Sequence, residues 1–342
     1  MRAFITGLAG VVLTDEERGF LRETQPWGLI LFKRNVEGPD ALRGLIGDAR
    51  ATLGREAPVL IDQEGGRVQR LGPPHWPSYP PGAAYGALYD RDRDGALAAA
   101  RLGARLIAAD LALVGIDVDC LPLADVPHAG ADPVIGDRAY GEDADKVAAI
   151  AGAIAEGLEA GGVLPVLKHI PGHGRASADT HKSLPLVNTD RKTLEATDFA
   201  AFRALAALPM AMTAHVVFSA IDPVAPATVS PTILRDVIRD SIGFEGLLMS
   251  DDISMGALSG SVGERTRAAI AAGCDVVLHC NGEIAEMRAV AAEAPMLGGD
   301  GARRAATALA RKKPALPIDL RAARGEFFRL MVEVWRPAQG YA

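Results

Sequence analysis

Short apolar runs alternate along the whole chain with longer segments in which apolar residues recur every three or four positions. A continuous run such as 27–32 (WGLILF) is typical of a strand buried on both faces. Val147, Ile150, Ile154 and Leu158 instead form one stripe of a helix. The apolar runs predict seven strands, at 27–32, 58–61, 116–123, 163–167, 209–213, 246–249 and 275–278. The N-terminal stretch 3–13 is expected to supply an eighth strand or to pair beside the first.

Capping and turn residues predict the boundaries of several segments between these strands. Ser230 followed by Pro231 predicts an N-cap with proline at the first helical position. Thr189 is expected to start another helix, and the Pro- and Gly-rich stretch 71–87 predicts a long surface loop.

The alternation of strand and helix continues without a linker rich in Ser, Pro or repeated charge, which predicts a parallel sheet with crossover helices. An open sheet would place its ligand at one switch point, whereas polar residues here follow nearly every strand. We therefore predict an α/β fold, a (β/α)8 TIM-like barrel with its site at the C-terminal face of the strands. A single catalytic domain is expected over 1–336, with a frayed tail at 337–342. The polar strand-end residues are Asp62, Asp125, Lys168, His215, Asp251 and Asn281.

Charge and composition exclude several classes of partner. The net charge is −7 and no basic stripe is present, so nucleic acid is not an expected partner. No apolar run approaches the roughly 20 residues that a membrane-spanning helix needs. The three cysteines lack metal-ligand spacing, which indicates a reducing compartment and a cytoplasmic location. We expect a monomer. No cofactor is expected, since no Gly-rich dinucleotide loop follows the first strand.

A histidine-rich stretch, 168–174 (KHIPGHG), begins at the end of a predicted strand and is followed closely by Asp179, Thr180 and His181. Imidazole is the side chain that titrates near neutrality, so this cluster indicates a site. Asp179 could hold the ring of His181 through one nitrogen and leave the other nitrogen to transfer protons. Read alone, so short a motif favours a solvated loop pair, and it is the neighbouring strand end at Lys168 and His169 that supports a site.

Asp251 is delivered to the same face by the strand at 246–249. It is either a nucleophile or charge stabiliser, or else Asp251 or Asp252 caps the next helix; position alone favours neither. Lys168 and His169 could donate hydrogen bonds to substrate hydroxyls, although Lys168 could instead form a Schiff base, as in barrel aldolases. His173, which lies between two glycines, either fixes its loop or takes part in the chemistry.

Arginines near two other strand ends could bind a substrate carboxylate in a bidentate manner. They are Arg67 and Arg70, which follow Asp62, and Arg138. The alternative for at least one of Arg67 and Arg70 is an ordinary surface ion pair.

A metal site is not expected at the histidine-rich stretch. His169 and His173 are four residues apart, but Pro171 and Gly172 keep them from sharing one helical face as a metal-binding pair would. A metal-dependent hydrolase is nevertheless kept as an alternative.

Four stretches, in chain order, resemble glycoside hydrolase family 3. They resemble in particular its bacterial β-N-acetylglucosaminidases of the NagZ type. The similarity runs from about Gly7 to Asn281, without the C-terminal third of a two-domain member, so the compact single-barrel branch of the family is expected. The stretches are 62–70 (DQEGGRVQR), 136–139 (GDRA), 168–181 and 250–255 (SDDISM).

The resemblance implies a retaining exo-β-N-acetylglucosaminidase. Asp251 would be the nucleophile that forms a covalent glycosyl-enzyme, and His181, held by Asp179, would be the acid/base. The implied substrates are muropeptides carrying GlcNAc on (anhydro)MurNAc, small carbohydrates met in cytoplasmic cell-wall recycling. The residues implied to hold the terminal sugar are Asp62, Arg138, Lys168 and His169, with Arg70 near the neighbouring muramyl unit.

An aspartate–histidine pair in this role is unusual, because most glycosidases use two carboxyl groups. Neutral imidazole is a suitable base near neutral pH, but the first step requires imidazolium. Two residues differ from those usual in the family, Ile170 for Phe and Thr180 for Ser, and neither change removes a reacting group. Phosphorolysis at the same site, Schiff-base aldol chemistry and non-catalytic sugar binding remain alternatives.

Overall fold

Eight parallel strands close into a barrel in the computed structural model, which describes residues 1–176 and 184–336. Strands that are consecutive in the barrel sequence are neighbours in space, so the predicted fold class is confirmed. The barrel strands are β1 (Arg2–Gly7), β2 (Pro26–Leu31), β3 (Val59–Ile61), β4 (Val118–Asp119), β5 (Leu164–Ile170), β6 (Met210–Thr213), β7 (Leu247–Asp252) and β8 (Val276–His279).

The N-terminal strand completes the barrel. Ile5 in β1 lies opposite Gly28 in β2 on one side and Leu278 in β8 on the other. The strand occupies only the first part of the predicted stretch 3–13. Pairing on both edges leaves no open sheet edge at this position.

Helices cover the outside of the barrel. Within the described ranges, no helix is both long and apolar enough to cross a membrane. The sequence following β6 forms a wide-turned π-helix, Ile233–Ser241. The α-helices are α1 (Asp15–Thr24), α2 (Pro39–Leu53), α3 (Gly82–Tyr89), α4 (Arg93–Leu113), α5 (Ala144–Ala160), α6 (Arg191–Ala196), α7 (Asp198–Ala204), α8 (Val262–Ala272), α9 (Ile284–Glu293), α10 (Gly299–Ala310) and α11 (Leu320–Met331).

The predicted cap at Ser230 is confirmed, because its hydroxyl accepts a hydrogen bond from the Ile233 N–H at 3.1 Å. Two other boundaries were wrong. The helix predicted from Thr189 begins at Arg191, since the Asp190 carboxylate caps it by accepting from the Thr193 N–H at 3.0 Å. The stretch 71–87 is not all loop, because α3 begins at Gly82.

Two predicted strands also differ in length from the observed ones. The predicted strand 116–123 is regular only over β4, and beyond it Leu123 pairs with Lys168 through an isolated bridge. Conversely, β5 does not end at Leu167 but continues through Ile170, with the Lys168–His169 and Ile170–Pro171 peptide bonds in cis. Lys168 and His169 therefore belong to the strand rather than to the loop after it.

The barrel interior is a packed core of apolar side chains. Ile5, Leu60, Val166, Met212 and Met249 are among those that fill it. A second apolar layer lies between the strands and the helices. Because the interior is filled, a ligand can bind only at an end of the barrel, and the polar strand-end residues lie at the C-terminal end.

Candidate active site

The C-terminal end of the barrel contains a cleft of about 400 Å³. The structure brings six of the predicted site residues together in its walls. Asp179 and His181 lie outside the described residues, so their pairing stays a prediction. The six residues are Asp62, Arg70, Arg138, Lys168, His169 and Asp251.

Lys168 lies at the centre of a buried network of charges. Its ammonium is 3.0 Å from Asp62 Oδ1 and 2.7 Å from Glu64 Oε1, and its side chain is only 2% exposed. Arg138 binds both oxygens of Glu64, with Nε at 2.9 Å and Nη2 at 2.8 Å. This fork fixes the orientation of the carboxylate as well as its charge.

The network determines the protonation state of its members. Burial alone would raise the pKa of Glu64, but the positive charges of Lys168 and Arg138 outweigh it and hold that pKa at about 2. The pKa of Asp62 is likewise below its usual range, because Lys168 and Arg70 outweigh the effect of burial. Burial would lower the pKa of Lys168, yet Asp62 and Glu64 raise it above its ordinary value. Lys168 is therefore a charged donor, which argues against the Schiff-base alternative, since that chemistry requires a neutral amine.

Replacing Lys168 with methionine is expected to lower the free energy of unfolding by about 3 kcal/mol near neutral pH, because the buried Glu64 and the partly buried Asp62 lose their shared cation and keep one arginine each. The loss should shrink as the pH falls from 4.5 towards 2. Over that window the wild-type protein loses the stability that comes from the depressed pKa of Glu64. Denaturant unfolding at a series of pH values measures both effects.

Lys146 provides a matched control for this substitution. Its ammonium is 2.8 Å from Asp90, and that carboxylate is exposed to solvent. Lys146→Met should therefore cost less than about 1 kcal/mol. A Lys168→Met loss that is the same at every pH would show that the buried charges do not cause it.

A short hairpin places Arg70 beside Asp62. Residues Gln63–Gly65 pair antiparallel with Val68–Gln69, and Gly66 at the turn has a φ of 55°, which favours glycine. The Gln63 side chain accepts from the Arg70 N–H at 2.9 Å and donates to the Leu71 carbonyl at 2.8 Å. Arg70 Nη2 then lies 2.8 Å from Asp62 Oδ2.

Arg67 has a different role from Arg70. It donates to the backbone carbonyls of Pro133 and Ile135 at 3.2 and 3.1 Å, and its Nε is 2.8 Å from Asp137. Both members of the Arg67–Asp137 pair are about half exposed. Arg67 thus joins two loops at the cleft, and for this residue the surface ion-pair interpretation is confirmed.

Asp125 holds the histidine-rich stretch in place. Its Oδ2 is 2.7 Å from Nδ1 of His169, and its Oδ1 accepts from the His173 backbone N–H at 2.7 Å. Burial would raise the pKa of Asp125, but His169 and His173 outweigh it and hold that pKa at about 2. The carboxylate therefore accepts the Nδ1 proton of His169 and leaves Nε2 for the cleft.

His173 contacts this network mainly through its backbone. Its ring packs edge-on against that of His169, with centroids 5.8 Å apart. Burial, followed by the charge of His169, lowers the pKa of His173 to about 4. The ring is therefore neutral near neutral pH, as expected of a residue that fixes its loop.

The structure gives Asp251 and Asp252 different roles. Asp252 accepts from the Ser254 N–H and hydroxyl at 3.0 and 2.7 Å and from the Cys280 N–H at 3.2 Å. It therefore caps the turn after β7. Asp251 lines the cleft, and Oδ1 accepts from the Asp252 N–H at 2.7 Å. Burial would raise the pKa of Asp251, but His169, this N–H and Lys168 are among the groups that outweigh it and lower that pKa.

A buried chain of hydrogen bonds supports the end of β7 at Asp251 and Asp252. His215 Nε2 donates to the Asp252 carbonyl at 3.0 Å, and its Nδ1 lies 2.7 Å from the Thr228 hydroxyl. Thr228 in turn lies 2.8 Å from the Thr213 hydroxyl, which accepts from the Asp251 N–H at 3.4 Å. Burial is the main cause that lowers the pKa of His215, so its ring is neutral with the proton on Nε2. His215 is a positioning residue for the end of β7, which carries Asp251.

Sequence reasoning did not assign site roles to Glu64, Asp125 or His215. Asp125 and His215 were noted only as polar residues at strand ends. Glu64 lies two residues after Asp62 in the hairpin, and that spacing could have indicated a second carboxylate on the same face. No group of three or more His, Cys, Asp or Glu within 1–176 and 184–336 is arranged to hold a metal ion.

Comparison with known protein families gives a match that covers every residue of the cleft. The model described as the Glycosyl hydrolase family 3 N terminal domain matches residues 6–297. A β-hexosaminidase of Alkalilimnicola ehrlichii is 42% identical over 281 residues, which are 80% of this chain and 79% of that protein. A β-hexosaminidase of Stenotrophomonas maltophilia is 38% identical over 286 residues, 82% of this chain and 84% of that protein.

Solved structures give the same result. NagZ from Neisseria gonorrhoeae, in complex with N-trifluoroacetyl-D-glucosamine, superimposes with a TM-score of 0.85 at 30% sequence identity. The match covers 96% of this chain and 98% of that one. The family match from residue 6 to 297 and the structural match over 96% of this chain therefore both include the cleft and nearly all of the barrel.

Proposed function

This chain belongs to glycosyl hydrolase family 3 and is a β-hexosaminidase, and from this premise we propose that it removes terminal β-linked GlcNAc from muropeptides with retention of configuration. The proposal rests on the bonding partners of the carboxylates that line the cleft. Asp62 and Glu64 are held by cations, and Asp252 caps a turn. Among the described residues, Asp251 is the cleft carboxylate that has neither a cation partner nor a capping role.

The ionised state of Asp251 supports its proposed role as nucleophile. Its carboxylate attacks the anomeric carbon while the bond from that carbon to the leaving oxygen breaks. His181, backed by Asp179, donates its proton to the leaving oxygen. It then accepts a proton from water, and the resulting hydroxide attacks the anomeric carbon and releases Asp251.

The charge network supports the proposed binding of the terminal sugar. Lys168, Arg138, Asp62 and His169 present fixed donors and acceptors on one wall of the cleft, as recognition of several hydroxyl groups requires. Their orientations are held by Glu64 and Asp125 before any ligand binds, so little ordering is needed on binding. The amino-sugar ligand of the Neisseria gonorrhoeae structure is consistent with this choice of substrate.

The muropeptide substrate, the cytoplasmic location and the monomeric state are the finer parts of the proposal. The first rests on the motif resemblance to the NagZ-type branch. The second is supported by the cysteines, since Cys120, Cys274 and Cys280 are all unpaired thiols. Free thiols are usual in a reducing compartment.

The test is an assay of nitrophenyl β-GlcNAc hydrolysis with nitrophenyl β-glucoside as control, each with and without EDTA and with and without phosphate. We expect rapid release from the GlcNAc substrate alone, unaffected by EDTA, with free β-GlcNAc as the first product by NMR. A first product of α configuration would refute retention. GlcNAc-1-phosphate as the product would establish phosphorolysis, and loss of activity with EDTA would establish metal dependence.

A further inference from the structure

Arg34 links the ends of three strands at the seam where the barrel closes. It follows β2, its Nε donates to the carbonyl of Leu8 after β1 at 2.8 Å, and its Nη2 donates to the carbonyl of Cys280 after β8. Gly7 leaves room for this contact, because a side chain there would collide with the Cys280 carbonyl and come within 2.8 Å of Arg34 Nη2. The guanidinium therefore fixes β8 against β1 and β2 at the end of the barrel that contains the active site.

The segment that carries Arg34 is itself held in place by the buried side chain of Asn35. Its Oδ1 accepts from the Phe32 N–H at 2.9 Å. Its Nδ2 donates to the carbonyls of Leu8 and Gly10 at 3.0 and 2.8 Å. Arg34 also lies over the Phe32 ring, 4.9 Å from its centre. The guanidinium is thus oriented before any substrate binds, as a group that supports an active site has to be.

Cys280 connects Arg34 to the proposed nucleophile through two further hydrogen bonds. The Cys280 N–H donates to Asp252 Oδ1 at 3.2 Å. The Asp252 N–H in turn donates to Asp251 Oδ1 at 2.7 Å. The carboxylate of Asp251 is therefore held by a residue whose own side chain is bound to the segment that Arg34 fixes. Asp252→Asn would leave an oxygen for the Cys280 N–H, so that variant can keep these contacts.

We propose that Arg34 is a positioning residue for Asp251 and acts through Cys280 and Asp252. The inference rests on the proposed role of Asp251 as nucleophile. An attacking carboxylate has to lie at a definite distance and angle from the anomeric carbon, and a small displacement lowers the rate. Arg34 does not line the cleft, so it affects the reaction without touching the substrate.

The experiment measures kcat and KM for nitrophenyl β-GlcNAc in Arg34→Met and in Arg55→Met. Arg55 is the matched control, because it too donates to two backbone carbonyls, those of Pro26 and Trp27, but at the opposite end of β2. Both variants should lower the melting temperature. Arg34→Met alone should lower kcat, by about tenfold per folded molecule and with KM unchanged.

Arg34→Lys takes the place of Arg34→Met if the latter does not fold. An ammonium does not reproduce the planar fork that reaches both carbonyls, so its smaller loss should also fall on kcat. An unchanged kcat in both Arg34 variants, an equal fall of kcat in Arg55→Met, or a rise in KM alone would overturn the inference.

A second measurement separates an effect on Asp251 from a general loosening of this end of the barrel. In Asp251→Ala with azide added, an external anion takes the place of the carboxylate. Arg34→Met should then cause no further loss of rate, because the group that Arg34 positions has been removed. An equal loss in that background would contradict the proposed role of Arg34. Full activity of Asp251→Asn would instead overturn the proposed function on which the inference rests.

Discussion

Asp251→Asn is expected to reduce turnover by roughly 10⁴-fold or more, because the amide cannot form the glycosyl-enzyme. Folding should be retained. Asp251 Oδ1 accepts one hydrogen bond, from the Asp252 N–H, and the amide oxygen of asparagine can accept it equally well. The measurement is kcat for nitrophenyl β-GlcNAc, together with the melting temperature of the variant.

Asp252→Asn is a matched control one residue away. Asp252 uses both carboxylate oxygens as acceptors, from Ser254 and Cys280, so this variant should lose stability while keeping much of its activity per folded molecule. Asp251→Asn should therefore lose activity and keep its stability, whereas Asp252→Asn should lose stability and keep its activity. Full activity of Asp251→Asn would exclude it as the nucleophile.

A second test of the same role uses Asp251→Ala with added azide. Removal of the carboxylate leaves room for a small anion beside the anomeric carbon. Azide should restore hydrolysis of substrates with good leaving groups and should yield the α-glycosyl azide, since the anion attacks from the side that Asp251 occupied. A β-azide product would contradict a nucleophile on that face.

His181→Ala is expected to slow cleavage of a disaccharide by about 10²–10⁴-fold, the usual contribution of a proton donor. The loss should be smallest for substrates with good leaving groups, because those groups depart without a proton. Comparing kcat/KM for a dinitrophenyl glycoside, a nitrophenyl glycoside and a disaccharide gives the required series.

Asp251→Asn provides the contrast for this prediction, since loss of the nucleophile should affect all three substrates strongly. Asp179→Asn should resemble His181→Ala with smaller losses, because the histidine is then present but less basic. An equal loss for good and poor leaving groups in His181→Ala would refute acid catalysis by this residue.

Much of the barrel followed from local patterns. The apolar runs located seven strands, since a strand buried on both faces leaves no position for polar residues. The polar residues after those runs predicted which end carries the site, and six of the predicted residues do line one cleft. The sequence indicated a strand in the N-terminal stretch but left its place in the barrel open, because closure depends on pairing between β1 and β8, which lie far apart in the sequence.

The sequence by itself determined the fold class, the family and the set of residue types at the end of the barrel. Only the tertiary structure decided which role each carboxylate has in the cleft. The sequence does not distinguish the roles of Asp251 and Asp252. Their roles differ because the backbone N–H groups of Ser254 and Cys280 donate hydrogen bonds to the Asp252 carboxylate. Glu64 and Arg138 are 74 residues apart, and Lys168 and Asp62 are 106 apart. No local pattern encodes contacts at such separations, since they arise only when parallel strands bring their ends to one rim of a closed barrel.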